Sequence, residues 1–296
     1  IGFLSADIIS GHSITYFLKT ILSNYDKKKY EIILLLNNPK EDELTKDFKN
    51  LVDETINIWN LDNVSAVNRV RELKLDIMVD LMGYTSTNRL EMFKNRIAKK
   101  QIIWMGYCNT TGLKNMDYII SDPNLIHSGE EKFYSEEVIY LPKIWNSHCG
   151  FEYERVYNEL PFKKNNYITF GSLNNFMKIN EEVLDTWVKI LRKVENSKII
   201  LKSSLYVCED VIKKRFEKEG LIDSIEILKK TKRNDFLSHI NLYDKIDLCL
   251  DTFPFNGVTT TFEALWKNVP VITKAGYNFN SRCGESILKN ANIENF

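Results

Sequence analysis

Short apolar runs alternate with helical patterns along the whole chain, and this alternation constrains the fold more than any other feature. It predicts parallel βαβ units. The runs carry apolar residues on both faces, which is typical of strands that helices cover on each side. The predicted strands are Ile1–Ser5, Tyr30–Leu36, Thr55–Trp59, Asp76–Leu81, Gln101–Met105, Tyr118–Ile120, Val138–Leu141, Tyr167–Phe170, Lys198–Leu201, Ser224–Leu228, Ile246–Leu250 and Val269–Thr273.

Helical patterns fill the intervals between these strands. A polar, aromatic stretch at Glu152–Asn166 interrupts the alternation, which then restarts. We therefore predict two doubly wound α/β domains, residues 1–160 and 161–296. Ligands in such folds bind at the carboxyl ends of the strands, so the site is expected in a cleft between the domains. The predicted helices are Ser13–Leu22, Glu41–Val52, Ser65–Leu73, Arg89–Lys94, Glu181–Lys193, Val207–Lys218, Asn234–Leu242, Thr260–Trp266 and Arg282–Leu288.

The composition excludes several classes of protein. Hydrophobic residues make up 44% and charged residues 27%, which is typical of a soluble globular protein. Lys+Arg and Asp+Glu both number 40, so the charge balance indicates neither nucleic acid nor a membrane as a partner. No apolar run reaches the ~18 residues of a membrane helix, and no signal peptide is visible.

The cysteines and the first residues add two expectations. The five cysteines are scattered without a CxxC pair, which favours free thiols, no structural zinc and a cytoplasmic location. The chain starts within a predicted strand and lacks an initiator Met, so we expect a segment of a longer protein.

The stretch Leu248–Trp266 gives the clearest indication of function. It reads as a buried strand, a Pro/Gly/Asn turn and a threonine-rich helix start, with Glu263 one helical turn after Thr259. A helix N-terminus offers unpaired N–H groups and positive dipole density, which suit a phosphate. Threonine hydroxyls add donors, and the carboxylate could accept a hydrogen bond from a ribose hydroxyl. An ordinary strand–turn–helix with a Thr N-cap is the alternative interpretation.

Other polar residues also follow predicted strands. His12 lies in a Ser/Gly turn after the first strand, where an imidazole could act as a general base or bind a sugar hydroxyl, or could merely cap the next helix. Asp80 ends a buried strand, where it is either catalytic or satisfies loop N–H groups. His127 and His148 lie outside any motif, and we interpret both as structural or exposed.

Residues 251–266 contain Asp-Thr-Phe-Pro-Phe-Asn-Gly, then Thr-Thr-Thr and Glu-Ala-Leu-Trp. This order resembles the nucleotide-sugar motif of glycosyltransferase family 41, which holds the O-GlcNAc transferases and their SPINDLY-like relatives. Further blocks are similar to the family in the same order, so the resemblance covers almost the whole chain. These blocks are Ser5–Phe17, Asp80–Thr85, Gln101–Gly112, Met116–Tyr118, Gly171–Ile179 and Ser281–Gly284.

The resemblance implies a GT-B fold, with two facing Rossmann-like domains, and the catalytic region of a bacterial SPINDLY-like O-GlcNAc transferase. Such an enzyme moves GlcNAc from UDP-GlcNAc to Ser or Thr hydroxyls of proteins, with inversion and without a metal ion. Lys178 would then neutralise the departing diphosphate, and Lys202 is a second candidate cation. The implied nucleotide-sugar contacts are Asn175, Lys178, His239, Val258, Thr259, Thr260 and Glu263.

The catalytic base and the acceptor pocket are assigned in the same way. In the family, the residue that matches His12 lines the active site, which makes His12 the first candidate for the base. Asp80 is the second candidate, and an oxygen of the substrate phosphate is the third. The expected acceptor or sugar pocket contains Tyr84, Asn109, Thr110 and Thr111.

Some positions depart from the family pattern and leave alternatives open. Tyr84 replaces an imidazole of the bacterial relatives, Phe236 replaces a lysine, and Val258 stands where animal enzymes have His. These departures would also fit a nucleotide-sugar-binding module that no longer catalyses. Plant relatives with the same fold use GDP-fucose, which is the other alternative donor.

The resemblance also implies partners beyond the donor. The relatives carry tetratricopeptide repeats upstream that bind the acceptor protein. No such helical period occurs in this chain, so the repeats are expected elsewhere in the full-length protein. The expected partners are therefore a nucleotide sugar and an acceptor protein or peptide.

Overall fold

The computed structural model describes residues 1–151, 159–203, 206–229, 231 and 235–294, with backbone only at 206 and 207. The chain divides into two compact units, Ile1–Phe151 and Glu152–Phe296. Each unit contains one parallel sheet with helices between its strands. Part of the polar stretch that interrupts the alternation, residues 152–158, lies outside the described residues.

The first unit is built on a seven-stranded sheet. Its strands are β1 (Gly2–Ser5), β2 (Ile33–Leu36), β3 (Glu54–Asn57), β4 (Ile77–Asp80), β5 (Lys100–Ile103), β6 (Tyr118–Ser121) and β7 (Glu137–Tyr140). They pair in the order β3-β2-β1-β4-β5-β6-β7, and every pair is parallel. The register sets Leu4 beside Asp80, so the loops that follow β1 and β4 leave the same edge of the sheet.

The three longer helices of the first unit begin at polar capping residues, whereas the short α4 has no side-chain cap. The helices are α1 (Ser13–Leu22), α2 (Glu43–Leu51), α3 (Asn63–Glu72) and α4 (Leu90–Phe93). His12 caps α1, and the carboxylate of Asp62 accepts a hydrogen bond from Ser65 N at the start of α3. Asp42 forms a capping box with Thr45 at the start of α2. These side chains satisfy N–H groups that a helix leaves unpaired, which fixes where each helix begins.

The second unit has a five-stranded parallel sheet. Its strands are β8 (Ile168–Ser172), β9 (Ser197–Lys202), β10 (Ile225–Leu228), β11 (Leu248–Leu250) and β12 (Val271–Ile272). They pair in the order β10-β9-β8-β11-β12. The helices are α5 (Pro161–Asn165), α6 (Glu181–Lys193), α7 (Tyr206–Lys218), α8 (Phe236–Ile240), α9 (Thr259–Trp266) and α10 (Cys283–Asn290).

Apolar clusters cover both faces of the second sheet. Phe170 belongs to a cluster with Trp187 of α6 and Phe216 of α7. The next strand residue, Gly171, faces Ile246, which belongs to a separate cluster with residues from α8 to α10. Successive strand residues point to opposite faces, so the two clusters sandwich the sheet. The carboxyl ends of the strands are thereby held on a rigid core.

The predicted alternation of strands and helices is confirmed in both units. Every predicted strand and helix overlaps an observed one, and boundaries differ by a few residues. Residue 234, the predicted start of α8, lies outside the described residues. The short helix α5 was not predicted, because its polar and aromatic sequence has no helical period. In the described part of the chain, no helix has the length and apolarity needed to span a bilayer.

Gly106, just after β5, provides a test of how closely two strand ends approach. A Cβ atom at this position would lie 1.8 Å from the carbonyl oxygen of Leu81, which follows β4. We expect Gly106→Ala to lower the free energy of unfolding by about 3 kcal/mol, because the clash is with backbone and cannot be relieved by a rotamer change. Urea denaturation followed by circular dichroism measures the loss.

Gly112→Ala is the matched control for this prediction. Gly112 has a φ of 70° and open space around its Cα, so the variant carries only the conformational cost of about 1 kcal/mol. Equal losses in the two variants would contradict the proposed close approach of the strand ends.

Candidate functional site

The turn between β11 and α9 is organised by the carboxylate of Asp251. Asp251 directly follows β11 and is 6% exposed. Its Oδ1 accepts hydrogen bonds from Thr252 N at 2.8 Å and Gly257 N at 2.7 Å, and its Oδ2 accepts from Thr273 Oγ1 at 2.8 Å. Burial raises the pKa of Asp251, and the hydrogen bonds from Gly257, Thr273 and Thr252 oppose that rise. The carboxylate therefore closes the turn on itself and ties it to the end of β12.

Asn174 links the same turn to the loop after β8. Its Nδ2 donates to Asp251 Oδ1 at 3.2 Å, and its Oδ1 accepts from Thr260 Oγ1 at 2.9 Å. A Cβ on Gly257 would lie 2.3 Å from Thr260 Oγ1 and 2.9 Å from Asn174 Oδ1. The glycine of the motif is thus needed because Asn174, Thr260 and Asp251 converge on its backbone.

The start of α9 carries the residues Val258, Thr259 and Thr260. Val258 is the N-cap, and no side chain caps the helix. The helix therefore does not begin with the Thr N-cap of the alternative interpretation. The first N–H groups of a helix have no partner within it, and they carry the positive end of the dipole. In α9, Thr261 N and Phe262 N both donate to the carbonyl oxygen of Val258, so the donors that this helix start can offer to an anion are the N–H groups of Thr259 and Thr260.

Lys178 lies against the same turn. It ends a short 3₁₀ helix, Phe176–Lys178, that follows the loop after β8. Its Nζ donates to the carbonyl oxygen of Asn256 at 2.8 Å and lies 3.9 Å from the ring centroid of Phe255. The side-chain oxygen of Asn175 caps the 3₁₀ helix by accepting from Met177 N at 3.0 Å, and Asn175 is exposed. The sequence prediction of a cation beside the motif therefore has a geometric basis.

A chain of hydrogen bonds joins Lys202, His239 and Glu263. Lys202 Nζ is 2.8 Å from His239 Nδ1, and His239 Nε2 is 3.0 Å from Glu263 Oε2. An ammonium group can only donate, so Nδ1 accepts and the imidazole proton is on Nε2, from which it is donated to the carboxylate. Lys202 ends β9, His239 lies on α8 and Glu263 on α9. Three residues selected from sequence are thus connected directly.

His12 and Asp7 form a looser pair after β1. His12 Nδ1 accepts from Ile14 N at 3.4 Å, which is the helix-capping contact, and Nε2 lies 3.5 Å from Asp7 Oδ1. The imidazole is about one-third exposed. His12 therefore caps α1, as one interpretation of the sequence had it, and still reaches solvent with a carboxylate beside its other nitrogen.

Asp80 is fully enclosed at the end of β4. It accepts hydrogen bonds from Met82 N at 3.1 Å and Gly83 N at 2.9 Å. Its exposed fraction is 0%, and burial raises its pKa to about 7. This is the geometry of a carboxyl group that holds a loop.

Glu136 anchors the loop that contains Asn109, Thr110 and Thr111. Its carboxylate accepts from Thr110 Oγ1 at 2.7 Å, from Thr111 N at 2.7 Å and from Thr111 Oγ1. Asn109 Oδ1 accepts from Thr110 N at 2.9 Å. The hydroxyl of Tyr84, a half-exposed residue, donates to the carbonyl oxygen of Thr111 at 2.7 Å. These predicted pocket residues are therefore adjacent, and their hydroxyl groups are largely engaged within the loop.

Sequence reasoning missed four residues that hold these groups in place. Each has at least one partner that is distant in the chain, which the sequence alone does not reveal. The sequence analysis selected Asn175, but its neighbour Asn174 is the residue that contacts the motif. The only sequence signal for such residues was a polar side chain at the end of a predicted strand or within a block that resembles the family. The missed residues are Glu136, Asn174, Tyr243 and Asp251.

The other two histidines, His127 and His148, have different surroundings. His148 packs against the rings of Tyr16, Phe17 and Phe151, whereas His127 is exposed. Among the residues that the structure describes, no group of three His, Cys, Asp or Glu side chains could hold a metal ion.

Comparison with known families identifies the chain. The model of glycosyl transferase family 41 matches residues 1–150 and 153–295. The chain belongs to glycosyltransferase family 41. The resemblance predicted from the Asp251–Trp266 motif is confirmed.

Similar curated proteins include SPINDLY proteins of plants. The chain is 33% identical over 304 residues to the probable UDP-N-acetylglucosamine–peptide N-acetylglucosaminyltransferase SPINDLY of Solanum lycopersicum, with 100% of this chain covered. The Arabidopsis thaliana SPINDLY protein is 34% identical over 303 residues, with 97% of this chain covered. In both cases the match covers 32% of the relative, so the chain spans about a third of the length of these proteins.

Solved structures confirm the GT-B fold class. A mutant of the Thermobaculum terrenum O-GlcNAc transferase superimposes with a TM-score of 0.91 at 30% identity, covering 99% of this chain and 56% of that one. The Anabaena protein HepE, in complex with UDP and glucose, has a TM-score of 0.52 at 13% identity, covering 99% of this chain and 89% of that one. The second similarity concerns the fold alone.

The raised pKa of Asp80 predicts a pH dependence of stability. Its pKa of about 7 in the folded chain exceeds about 3.9 in an unfolded chain. Folding therefore favours the protonated carboxyl, and this contribution to stability is complete below about pH 4 and is lost as the pH rises through about 7. Asp80→Asn does not titrate, so we expect the stability of the wild type to fall relative to the variant across this range. Urea unfolding of both proteins at several pH values measures the difference, and parallel profiles would contradict the enclosure of Asp80.

Proposed function

We propose that this chain is the catalytic region of a glycosyltransferase that moves GlcNAc from UDP-GlcNAc to Ser or Thr hydroxyls of proteins, with inversion. One observation carries the proposal. The Lys178 ammonium group and the uncapped start of α9 meet at the turn Asp251–Gly257, at the carboxyl edge of a parallel sheet. This arrangement suits the diphosphate of a nucleotide sugar, and membership of family 41 supports it.

The second unit supplies the donor contacts in this proposal. The N–H groups of Thr259 and Thr260 bind the diphosphate, with Val258 beside them. His239 and Glu263, already fixed by hydrogen bonds, bind the ribose and the base. Asn175, which is exposed next to Lys178, contacts the nucleotide. Residues 161–296 would thus be the nucleotide-sugar-binding lobe.

The chemistry proposed is a single displacement. The acceptor hydroxyl oxygen attacks the anomeric carbon of GlcNAc, and the bond from that carbon to the β-phosphate oxygen breaks with its electron pair leaving on UDP. Charge develops on the departing diphosphate, where the Lys178 ammonium and the α9 N–H groups stabilise it. These groups need no rearrangement, because the buried Asp251 already fixes the turn.

The first unit supplies the proton acceptor and the acceptor pocket in this proposal. His12 takes the hydroxyl proton on Nδ1, giving up its 3.4 Å contact with Ile14 N, and Asp7 then stabilises the imidazolium from the Nε2 side. Asp80 is not the base in this proposal, because its carboxyl group is enclosed and engaged by loop N–H groups. The loop from Asn109 to Thr111 and Tyr84 would line the acceptor pocket, which makes residues 1–160 the acceptor-side lobe.

The wider context follows from the relatives. The chain spans about a third of the length of these relatives. We propose, from the family resemblance, that the full-length protein carries tetratricopeptide repeats that bind the acceptor protein. We further propose a cytoplasmic, bacterial enzyme of the SPINDLY-like type.

Ligand-induced thermal stabilisation tests the donor site. We expect UDP and UDP-GlcNAc to raise the melting temperature, because a ligand at 100 times its Kd adds about 2.7 kcal/mol to the free energy of unfolding. Lys178→Ala should lose most of the shift, since it removes the cation at the diphosphate. GDP and GDP-fucose are measured in parallel.

Lys198→Ala is the matched control for Lys178→Ala. Lys198 also lies over an aromatic ring, that of Tyr167, at 5.2 Å, but it is near the amino end of β9. This variant should keep the full shift. Stabilisation by GDP compounds alone would reassign the donor to GDP-fucose, and no shift with any nucleotide would contradict the proposed donor site. Sugar transfer to a peptide then separates an enzyme from a module that only binds.

A further inference from the structure

Tyr243 lies behind the start of α9 and has no assigned role. It belongs to a 3₁₀ helix, Asn241–Lys245, that connects α8 to the strand before the motif. Its single hydroxyl proton has two acceptors within reach, Glu263 Oε2 at 2.9 Å and the carbonyl oxygen of Thr260 at 3.1 Å. Tyr243 is 1% exposed, so its hydroxyl cannot contact a ligand that approaches from solvent.

The hydrogen bonds on Glu263 are distributed unevenly between its two oxygens. Oε2 accepts from both His239 Nε2 and Tyr243. Among the residues described here, no hydrogen bond reaches Oε1. The two donors therefore fix the rotation of the carboxylate and leave Oε1 as the oxygen with unused acceptor capacity, on a side chain that is itself largely buried.

We propose that Tyr243 is a positioning residue of the donor site, acting through Glu263 and the first turn of α9. It would orient Glu263 Oε1 toward the nucleotide and hold the Thr260 peptide in place, without touching the donor. This inference rests on the proposed function, because it assigns Glu263 to the nucleotide.

Burial makes the Tyr243 hydroxyl a permanent donor. Desolvation, followed by the nearby Glu263 carboxylate, raises the pKa of Tyr243 well above its ordinary value. The proton therefore stays on the hydroxyl throughout the working pH range. The Glu263 carboxylate lies at one end of a hydrogen-bond chain and the Lys202 ammonium group at the other, with the His239 ring between them. The positive charge of Lys202 therefore balances the negative charge of Glu263.

Tyr243→Phe tests this role with the aromatic ring still filling its place in the core. We expect the Kd for UDP, measured by calorimetry, to rise about tenfold, as expected when a hydrogen bond to a charged group is lost. The KM for the donor should rise with it, whereas kcat should change little, because the hydroxyl does not act on the reacting atoms. An unchanged Kd would overturn the proposal.

Tyr25→Phe is the matched control. The Tyr25 hydroxyl donates to Asp53 Oδ2 at 2.9 Å, the same distance as in the Tyr243–Glu263 pair, but in the first unit. This variant should bind UDP like the wild type. A similar loss of affinity in Tyr25→Phe would show that the effect is not local and would overturn the proposal.

A double-mutant cycle with Glu263→Gln separates positioning from stability. If Tyr243 acts through Glu263, the double variant should bind UDP no more weakly than Glu263→Gln alone. Additive losses of affinity would overturn the proposal. A merely structural role would appear as a lower melting temperature with UDP affinity unchanged, which also counts against it.

The same measurements distinguish this inference from the proposed function. A wild-type chain that binds no nucleotide contradicts both, whereas equal UDP binding by the wild type and Tyr243→Phe overturns the inference alone. If Tyr243→Phe does not fold, Glu263→Asp replaces it, because the shorter side chain keeps its charge but withdraws it from the Tyr243 hydroxyl. The proposal expects a similar loss of UDP affinity there, and unchanged affinity would overturn it.

Discussion

The second unit depends on one buried carboxylate, that of Asp251. Burying a charged or polar group without partners is costly, but here both oxygens accept hydrogen bonds. The donors come from the turn itself, from Asn174 after β8 and from Thr273 after β12. Because β11 lies between β8 and β12 in the sheet, this one group ties three strand ends together. The uncapped start of α9 and the position of Lys178 follow from that constraint, since both are set by the turn that Asp251 closes.

The first unit uses the same arrangement twice. Asp80 holds the loop after β4 through two backbone N–H groups, and Glu136 holds Thr110 and Thr111. Both carboxyl groups are buried, so they shape loops and leave the exposed positions to other side chains. Tyr84 fits this pattern, because its hydroxyl donates to the Thr111 carbonyl and so makes a contact between two loops.

Most of the fold could be predicted from the sequence, because parallel βαβ units leave a periodic apolar pattern that does not depend on distant contacts. The boundaries were less accurate, and α5 was missed because Pro161 starts it within a sequence that has no such pattern. The residues of the candidate site also divide into those that a local motif marks and those that only distant contacts reveal. His239 and Glu263 were selected as candidates from local motifs. Tyr243 and Glu136 were not, because their roles lie entirely in contacts with residues distant in the chain. The contact of Asn174 with the motif was not predicted for a similar reason. Asn175 was selected instead, and adjacent residues in a loop point in different directions.

The two candidate histidines, His12 in the first unit and His239 in the second, have different surroundings. His239 has partners on both ring nitrogens at 2.8 and 3.0 Å, one an ammonium group and one a carboxylate that Tyr243 also holds. Changing its protonation would break a charge-assisted hydrogen bond, so His239 is suited to fixed recognition. His12 Nδ1 accepts from Ile14 N at 3.4 Å, its Nε2 lies 3.5 Å from Asp7, and its ring is about one-third exposed. Under the proposed function, the carboxylate beside Nε2 is what suits His12 to accept a proton, whereas the fixed orientation of its ring is what suits His239 to bind the nucleotide.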